Sequence, residues 1–279
     1  MKERPILIIC FSINYSDIFL KMKAILKKIP VIKRLYPSII KKIYKIIKIE
    51  NINYNYFNVL FCLNINEPID KEILFFDNYE NSQINFLIKN IEKENFSYFI
   101  DVGANSGLYS LIIAKKFENL EIKSFEPIES TFLKLEKNLS LNPSIKNIEI
   151  FNFGLSNNEA NLLMKAYKKN DYIQKGGYGV AFKDEDLSKL HTEHALFKKA
   201  DDILNLLNKH LIIKIDTEGH EKKVLDGMNK IISNNKVLIQ IEIFDWNFRI
   251  IDTFLREKKF RMINSINNDN KIDYFYINY

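Results

Sequence analysis

The sequence predicts an α/β fold: a mostly parallel sheet covered by helices on both faces. Three observations lead there. From residue 97 onward, short apolar runs alternate with helix-length segments, the rhythm of a parallel sheet with crossover helices. Residues 211–215 are almost uniformly apolar, as a strand buried on both faces should be. Residues 98–102 lead through Gly103-Ala104-Asn105-Ser106-Gly107 into an apolar-sided helix, which reads as strand, tight turn and helix start.

Bulk properties set the frame. A chain of 279 residues with 47% hydrophobic content suits one large domain, or one domain with an extension. Residues 1–50 hold twelve Lys and Arg against three Asp and Glu, a balance of +9. The chain total is +6, so the remainder sums to −3. A basic arm on a mildly acidic body bears on partners, not on fold. Cys10 and Cys62 show no metal-binding spacing, so a reducing compartment is expected. No apolar run reaches the ~18 residues of a membrane-spanning helix. Residues 5–13 resemble a signal peptide, but Asn14-Tyr15-Ser16-Asp17 is a poor cleavage site. The expected location is cytoplasmic, with membrane contact left open.

In chain order, residues 1–75 read as a basic, largely helical extension and residues 76–279 as the main domain. Ile25, Ile29, Ile32, Tyr36, Ile39, Ile43 and Ile46 step at helical spacing, and Pro30 and Pro37 break the run. Two helices are therefore expected near 17–29 and 38–49. They either lie on an anionic membrane surface or cap the domain. Short strands are expected at 56–63 and 72–76, then a helix near 82–94. Strands follow at 98–102, 121–125, 147–152, 211–215 and 236–243. Helices are expected at 106–116, 128–141, 219–232 and 246–258. The last apolar runs, 260–264 and 272–277, have no helix between them and read as an edge hairpin. Residues 154–200 interrupt the rhythm; the segment is polar, holds Gly176-Gly177-Tyr178-Gly179, His191 and His194, and reads as a long irregular insertion.

The candidate site gathers at strand ends. Asp101 closes the first core strand, where open α/β sheets bind ligands. Gly103 and Gly107 let the backbone turn sharply and approach a ligand, and the following helix start favours anionic or polar groups. Glu126, in Phe125-Glu126-Pro127, closes the next strand at nearly the offset of a ribose-binding acid. Asp216-Thr217-Glu218-Gly219-His220-Glu221 packs acids and a histidine at the end of a buried strand. Glu242 reaches the same rim. Asp216, Glu218 and His220 offer oxygen and nitrogen ligands, yet nothing enforces a metal and none is assigned.

These blocks, with Asn138-x-x-x-Asn142 and Ile241-Glu242-Ile243, resemble the FkbM-type methyltransferases, and their order is kept across residues 75–277. The resemblance implies the seven-stranded, Rossmann-like class I fold and S-adenosyl-L-methionine as methyl donor. It implies that Asp101, Gly103, Asn105 and Gly107 cradle the methionine part and Glu126 the ribose hydroxyls. Asn152 and Phe153 would lie near the adenine. Asp216, Glu218 and His220 would face the methyl group and its acceptor, with His220 or Asp216 as base. Lys199-Ala200-Asp201-Asp202-Ile203-Leu204 takes the place of an acidic block in that family. The implied acceptor is a sugar hydroxyl of a surface glycan, capsule or lipooligosaccharide.

Rival readings are a NAD-dependent nucleotide-sugar enzyme and a non-catalytic membrane-bound scaffold. The Gly-x-x-x-Gly spacing departs from a dinucleotide fingerprint. No nucleic-acid partner is expected, since the basic charge is confined to the arm and no base-flipping motif is present.

Overall fold

The computed structural model describes Lys42, Ile46 and residues 50–169, 172–173, 177–181, 185–268 and 271–279. The helices expected at 17–29 and 38–49 lie outside the described residues, except that Lys42 and Ile46 are helical and exposed. No described helix is long and apolar enough to cross a membrane.

The described chain begins with an antiparallel hairpin, β1 (Asn51–Tyr56) and β2 (Val59–Asn64). Its two-residue turn, Phe57 and Asn58, has φ of 50° and 62°, as a turn matched to the strand twist requires. The single strand expected at 56–63 is thereby corrected, because a Phe at positive φ gives no turn signal. Helix α1 (Pro68–Lys71) opens on a proline whose fixed φ suits a first turn. It continues into a π-helical turn, Glu72–Phe76, where a strand was expected. Ile73, Leu74 and Phe75 are all buried, and a short continuous apolar run serves a buried helical turn as well as a strand. Helix α2 (Asn81–Ile91) then buries Ile84, Leu87, Ile88 and Ile91 along one stripe.

The core alternation follows: β3 (Tyr98–Val102), α3 (Leu108–Lys116), β4 (Glu121–Phe125), α4 (Glu129–Ser140) and β5 (Ile148–Phe151). The segment expected to be irregular holds β6 (Gly154–Ser156), β7 (Ala160–Lys169), β8 (Tyr172–Ile173), β9 (Gly179–Val180) and β10 (Leu190–Lys199). These form a second sheet of order β6-β10-β7-β8, with β9 also on β7. Its polarity misleads because β7 and β10 bury only alternate residues, Met164 and Ala166 against Ala195 and Phe197.

After α5 (Ala200–Ile203), β11 (His210–Ile215) returns to the core. The helix expected at 219–232 is two, α6 (Glu221–Gly227) and α7 (Asn229–Asn234), broken at Met228. Then come β12 (Lys236–Ile243), α8 (Asp245–Glu257) and the hairpin β13 (Arg261–Asn268) and β14 (Lys271–Ile277). The main sheet has seven strands in the order β13-β14-β12-β11-β3-β4-β5. It is parallel from β12 to β5, and β14 adds antiparallel at the edge. The α/β class, strand number and edge hairpin agree with expectation.

Strand alternation divides the core into two layers. Phe99, Ile122, Ile212 and Leu238 face one side, with the β1–β2 hairpin, α2 and α3. Ile100, Phe125, Ile213 and Ile239 face the other, with α6, α7 and α8. The asparagines of the Asn138-x-x-x-Asn142 block bind the hairpin to this core. Asn138 Oδ1 accepts from the Cys62 N–H at 2.8 Å, and Asn142 pairs with both backbone groups of Leu60.

Gly227 permits a close approach of α6 to β6. A Cβ there would fall 1.8 Å from the Ser156 carbonyl oxygen of β6. Gly227→Ala is therefore expected to destabilise the chain by about 1–3 kcal/mol through overpacking. The check is the urea unfolding midpoint at constant slope.

Candidate functional site

The turn after β3 is built from left-handed residues. Gly103, Asn105 and Gly107 have φ of 80°, 52° and 84°. The Gly103 and Ala104 N–H groups both donate to the Phe125 carbonyl at 3.0 Å, which ties the turn to the end of β4. A Cβ on Gly103 would sit 1.9 Å from the Asp216 carbonyl oxygen, so glycine is required where the turn meets the end of β11. The Asn105 N–H donates to Glu126 Oε2 and the Ile128 N–H to Oε1, each at 2.9 Å. Burial nevertheless pushes the Glu126 carboxyl up to about 7. Asn138 Nδ2 holds the Ser106 carbonyl at 2.8 Å.

Beneath the turn, strand register lines up Ser124, Asp101, Lys214 and Gln240 across four neighbouring strands. All four are buried. Ser110 donates to Asp101 Oδ2 at 2.5 Å and shares a 2.6 Å bond with Ser124. Asp101 Oδ1 is buried with no hydrogen-bond partner among the described residues. Lys214 Nζ donates to Asp216 Oδ2 at 3.0 Å and sits 4.7 Å from the Tyr109 ring centroid. Burial opposes its charge, but attraction to Asp216, Asp101, Glu80 and Asp273 outweighs that and holds the ammonium above the usual lysine range. Gln240 Nε2 donates to Asp273 at 2.9 Å and to the Tyr109 hydroxyl at 3.1 Å.

The block after β11 divides its labour. Glu221 Oε1 accepts from the N–H groups of Gly219, at 2.8 Å, and Thr217, at 3.3 Å, and from the Thr217 hydroxyl at 3.2 Å. That carboxylate shapes the turn, while Asp216, Glu218 and His220 line a cleft. Glu218 has φ of 51° and Gly219 99°. The carboxylate oxygens of Asp216, Glu218 and Glu242 lie within 4.8 Å of one another. His220 Nε2 lies 2.9 Å from Ser156 Oγ, and its ring packs edge-on to Phe197. Burial first, then Lys223, lowers the imidazole to about 4, so it is neutral at pH 7.

Two cavities flank the Gly103–Asn105 turn. The larger, about 560 Å³, brings together Gly103, Asn105, Glu126, Asp216, Glu218 and His220. Met164, Tyr178, Val180 and Phe197 of the second sheet roof it. The smaller, about 350 Å³, is lined by Asp101, Gly103, Asn105, Glu80, Tyr109 and Lys214, among others. Gly107, Asn152 and Phe153, implied for the donor, line neither. Gly107 precedes α3 and packs on Leu135. Asn152 donates to the Glu126 carbonyl at 3.1 Å, and Phe153 packs with Phe125 and Phe151. Asp201 caps α7, accepting from the Lys230 and Ile231 N–H groups.

Sequence reasoning missed Lys214, Glu80, Tyr109 and the second-sheet roof. Lys214 left a signal, a single cation in an otherwise apolar strand. The Gly176–Gly179 run also had one: a Cβ on Gly179 would lie 3.0 Å from the Glu218 carbonyl oxygen, so the glycine lets β9 close over the rim.

Residues 101–262 match the methyltransferase FkbM domain family. Methyltransferase 1 of Beauveria bassiana (strain ARSEF 2860) is 24% identical over 182 residues, 59% of this chain and 72% of that protein. Methyltransferase sdnD of Sordaria araneosa is 28% identical over 160 residues, 48% of this chain and 61% of that protein. Hexuronic acid methyltransferase AglP of Haloferax volcanii is 26% identical over 163 residues, 58% of this chain and 62% of that protein. The chain thus spans less than two thirds of the last two relatives.

Lys214→Met leaves the surrounding carboxylates without their buried counter-charge. It is expected to destabilise by about 3–5 kcal/mol at pH 7. Burial already raises the Asp101, Asp273 and Glu80 carboxyls. A carboxyl with a raised folded-state value takes up a proton on folding, so part of the loss returns as pH falls from 7 toward 5. Urea unfolding of both proteins across that range checks the sign.

Proposed function

Since the chain belongs to the FkbM family of methyltransferases, we propose that it is an S-adenosylmethionine-dependent O-methyltransferase acting on a sugar hydroxyl of a surface polysaccharide, capsule or lipooligosaccharide. The observation that carries the reading is the meeting of Gly103, Asn105 and Glu126 with Asp216, Glu218 and His220 in one cleft. When bound, S-adenosylmethionine supplies an electrophilic methyl group on a sulfonium. The residues fit that donor. Asp101 Oδ1 is a buried acceptor with no partner among the described residues, and Gly103 lines the cleft. The Glu126 oxygens each accept one N–H and keep lone pairs for ribose hydroxyls.

The acceptor side has its own chemistry. Asp216, Glu218 and Glu242 bring carboxylate oxygens within 4.8 Å of one another at the rim, and such acceptors suit a hydroxyl that donates a hydrogen bond. The relative named as a hexuronic acid methyltransferase supports a sugar acceptor. The roof of Met164, Tyr178, Val180 and Phe197 offers apolar surface that keeps water from the reacting hydroxyl. Asp216 is the base in this reading. It lies at the end of β11 in the cleft wall, and Lys214 holds its carboxylate at 3.0 Å. His220 is neutral at pH 7 and in this reading serves through its bond to Ser156 to shape the cleft.

Two measurements test this. Titration should give binding of S-adenosylhomocysteine and none of NAD; the reverse sinks the donor reading. Mass spectrometry of surface glycans from cells with and without this protein should differ by one methyl group on a sugar. With saturating donor, Asp216→Asn is expected to lower turnover by about a hundredfold or more. His220→Ala should cost less than about tenfold, and the opposite ranking would move the base to His220.

A further inference from the structure

The smaller cavity has a carboxylate that neither the family match nor the donor reading uses. Glu80 lies upstream of the matched residues 101–262, yet it lines this cavity with Asp101. We propose that Glu80 joins Asp101 in binding the α-ammonium group at the amino-acid end of the methyl donor, an assignment that rests on the S-adenosylmethionine reading above.

The backbone is the first observation. Glu80 stands at φ 52° immediately before α2, and its side chain makes no capping bond to that helix. A left-handed non-glycine costs free energy and persists only where its surroundings dictate it. A residue there that served the helix alone would be glycine, asparagine or a capping acid. The Glu80 carboxylate instead meets the Tyr79 and Tyr109 hydroxyls beside the cavity.

Charge is the second. Glu80, Asp101, Asp216 and Asp273 surround the single ammonium of Lys214. Four carboxylates against one cation leave a negative excess in a buried place, and burial pushes the Asp101 and Glu80 carboxyls upward. A second cation would relieve both.

Satisfaction of hydrogen bonds is the third. One Asp101 oxygen is taken by Ser110, while Oδ1 has no partner among the described residues and is buried. An ammonium has three donors to place. Asp101 Oδ1 and Glu80, which line the same cavity, accept two of them. Ile69 and Leu108 line the rest of the cavity and suit the methylene chain that would carry the ammonium.

The test uses the full chain and two ligands. S-adenosylhomocysteine carries the amino-acid chain; 5′-methylthioadenosine keeps the adenosine and thioether without it. In Glu80→Gln, S-adenosylhomocysteine affinity is expected to fall about tenfold or more by calorimetric titration. Affinity for 5′-methylthioadenosine should stay within about twofold, which also shows that the variant is folded. Glu80→Asp, which keeps the charge but withdraws it by one methylene, should show a smaller loss confined to the same ligand. That variant decides the matter if Glu80→Gln does not fold. Unchanged S-adenosylhomocysteine affinity, or equal losses for both ligands, overturns the role of Glu80 while leaving the donor reading standing. A wild-type chain that binds neither ligand overturns the donor reading, and the assignment with it.

Discussion

The buried ammonium of Lys214 is the charge on which the rest of the site depends. It lies in the middle strand of a seven-stranded sheet, where apolar neighbours make an isolated charge very costly. Its partners come from several elements: Asp101 from the adjacent strand β3, Asp216 from the end of its own strand, Asp273 from β14 of the same sheet, and Glu80 from the turn before α2. Each of these acids would be expensive to bury alone. Together they form a polar row across the sheet that reaches the surface at the Gly103 turn. The row is costly as stability and useful as placement, since it fixes two carboxylates on opposite sides of one turn.

Contact between Gly103 and Asp216 turns that row into a site. A Cβ would overlap the Asp216 carbonyl, so the ends of β3 and β11 can meet only at a glycine. The contact brings the Asn105–Glu126 hydrogen bond and the Asp216–Glu218 acids into one cleft. The turn also joins two cavities, which share Gly103, Asn105 and Asp216 in their linings, and the smaller of them holds Lys214.

How much of this the sequence discloses follows from where the constraint lies. The core strands and most of their helices are legible because burial on two faces leaves continuous apolar runs and helical stripes, as in residues 211–215 and 246–258. Asp101, Glu126 and Asp216 are legible because acids at the ends of such runs have few other reasons to be there. The π-helical turn at Glu72–Phe76 is not, since Ile73, Leu74 and Phe75 satisfy a strand pattern equally well. The second sheet is hidden because its strands bury alternate residues and otherwise face solvent. Asn138 and Asn142 belong to a block that carries the family resemblance, and their amides bind the backbones of Ser106, Cys62 and Leu60. Glu80 is beyond sequence reasoning altogether, because its relevance comes from a left-handed backbone that carries it into a cavity shared with Asp101 of β3, Tyr109 of α3 and Lys214 of β11.

The cleft has two walls of different origin, and this bears on how specificity divides. Gly103, Asn105, Glu126 and Asp216 sit at strand ends or in turns pinned by backbone hydrogen bonds, so the sheet itself sets their spacing. Met164, Tyr178, Val180 and Phe197 come from the small sheet of residues 154–199, whose apolar cluster is separate from the two main core layers. That sheet meets the rim at a few points: Gly179 against Glu218, Ser156 against His220, and Ser156 again against Gly227. Substitutions on its cleft-facing side change the shape of the roof without touching the polar row around Lys214. Discrimination among acceptors is therefore expected to reside in the roof, and recognition of the donor in the sheet, since only the roof can vary without disturbing buried charge.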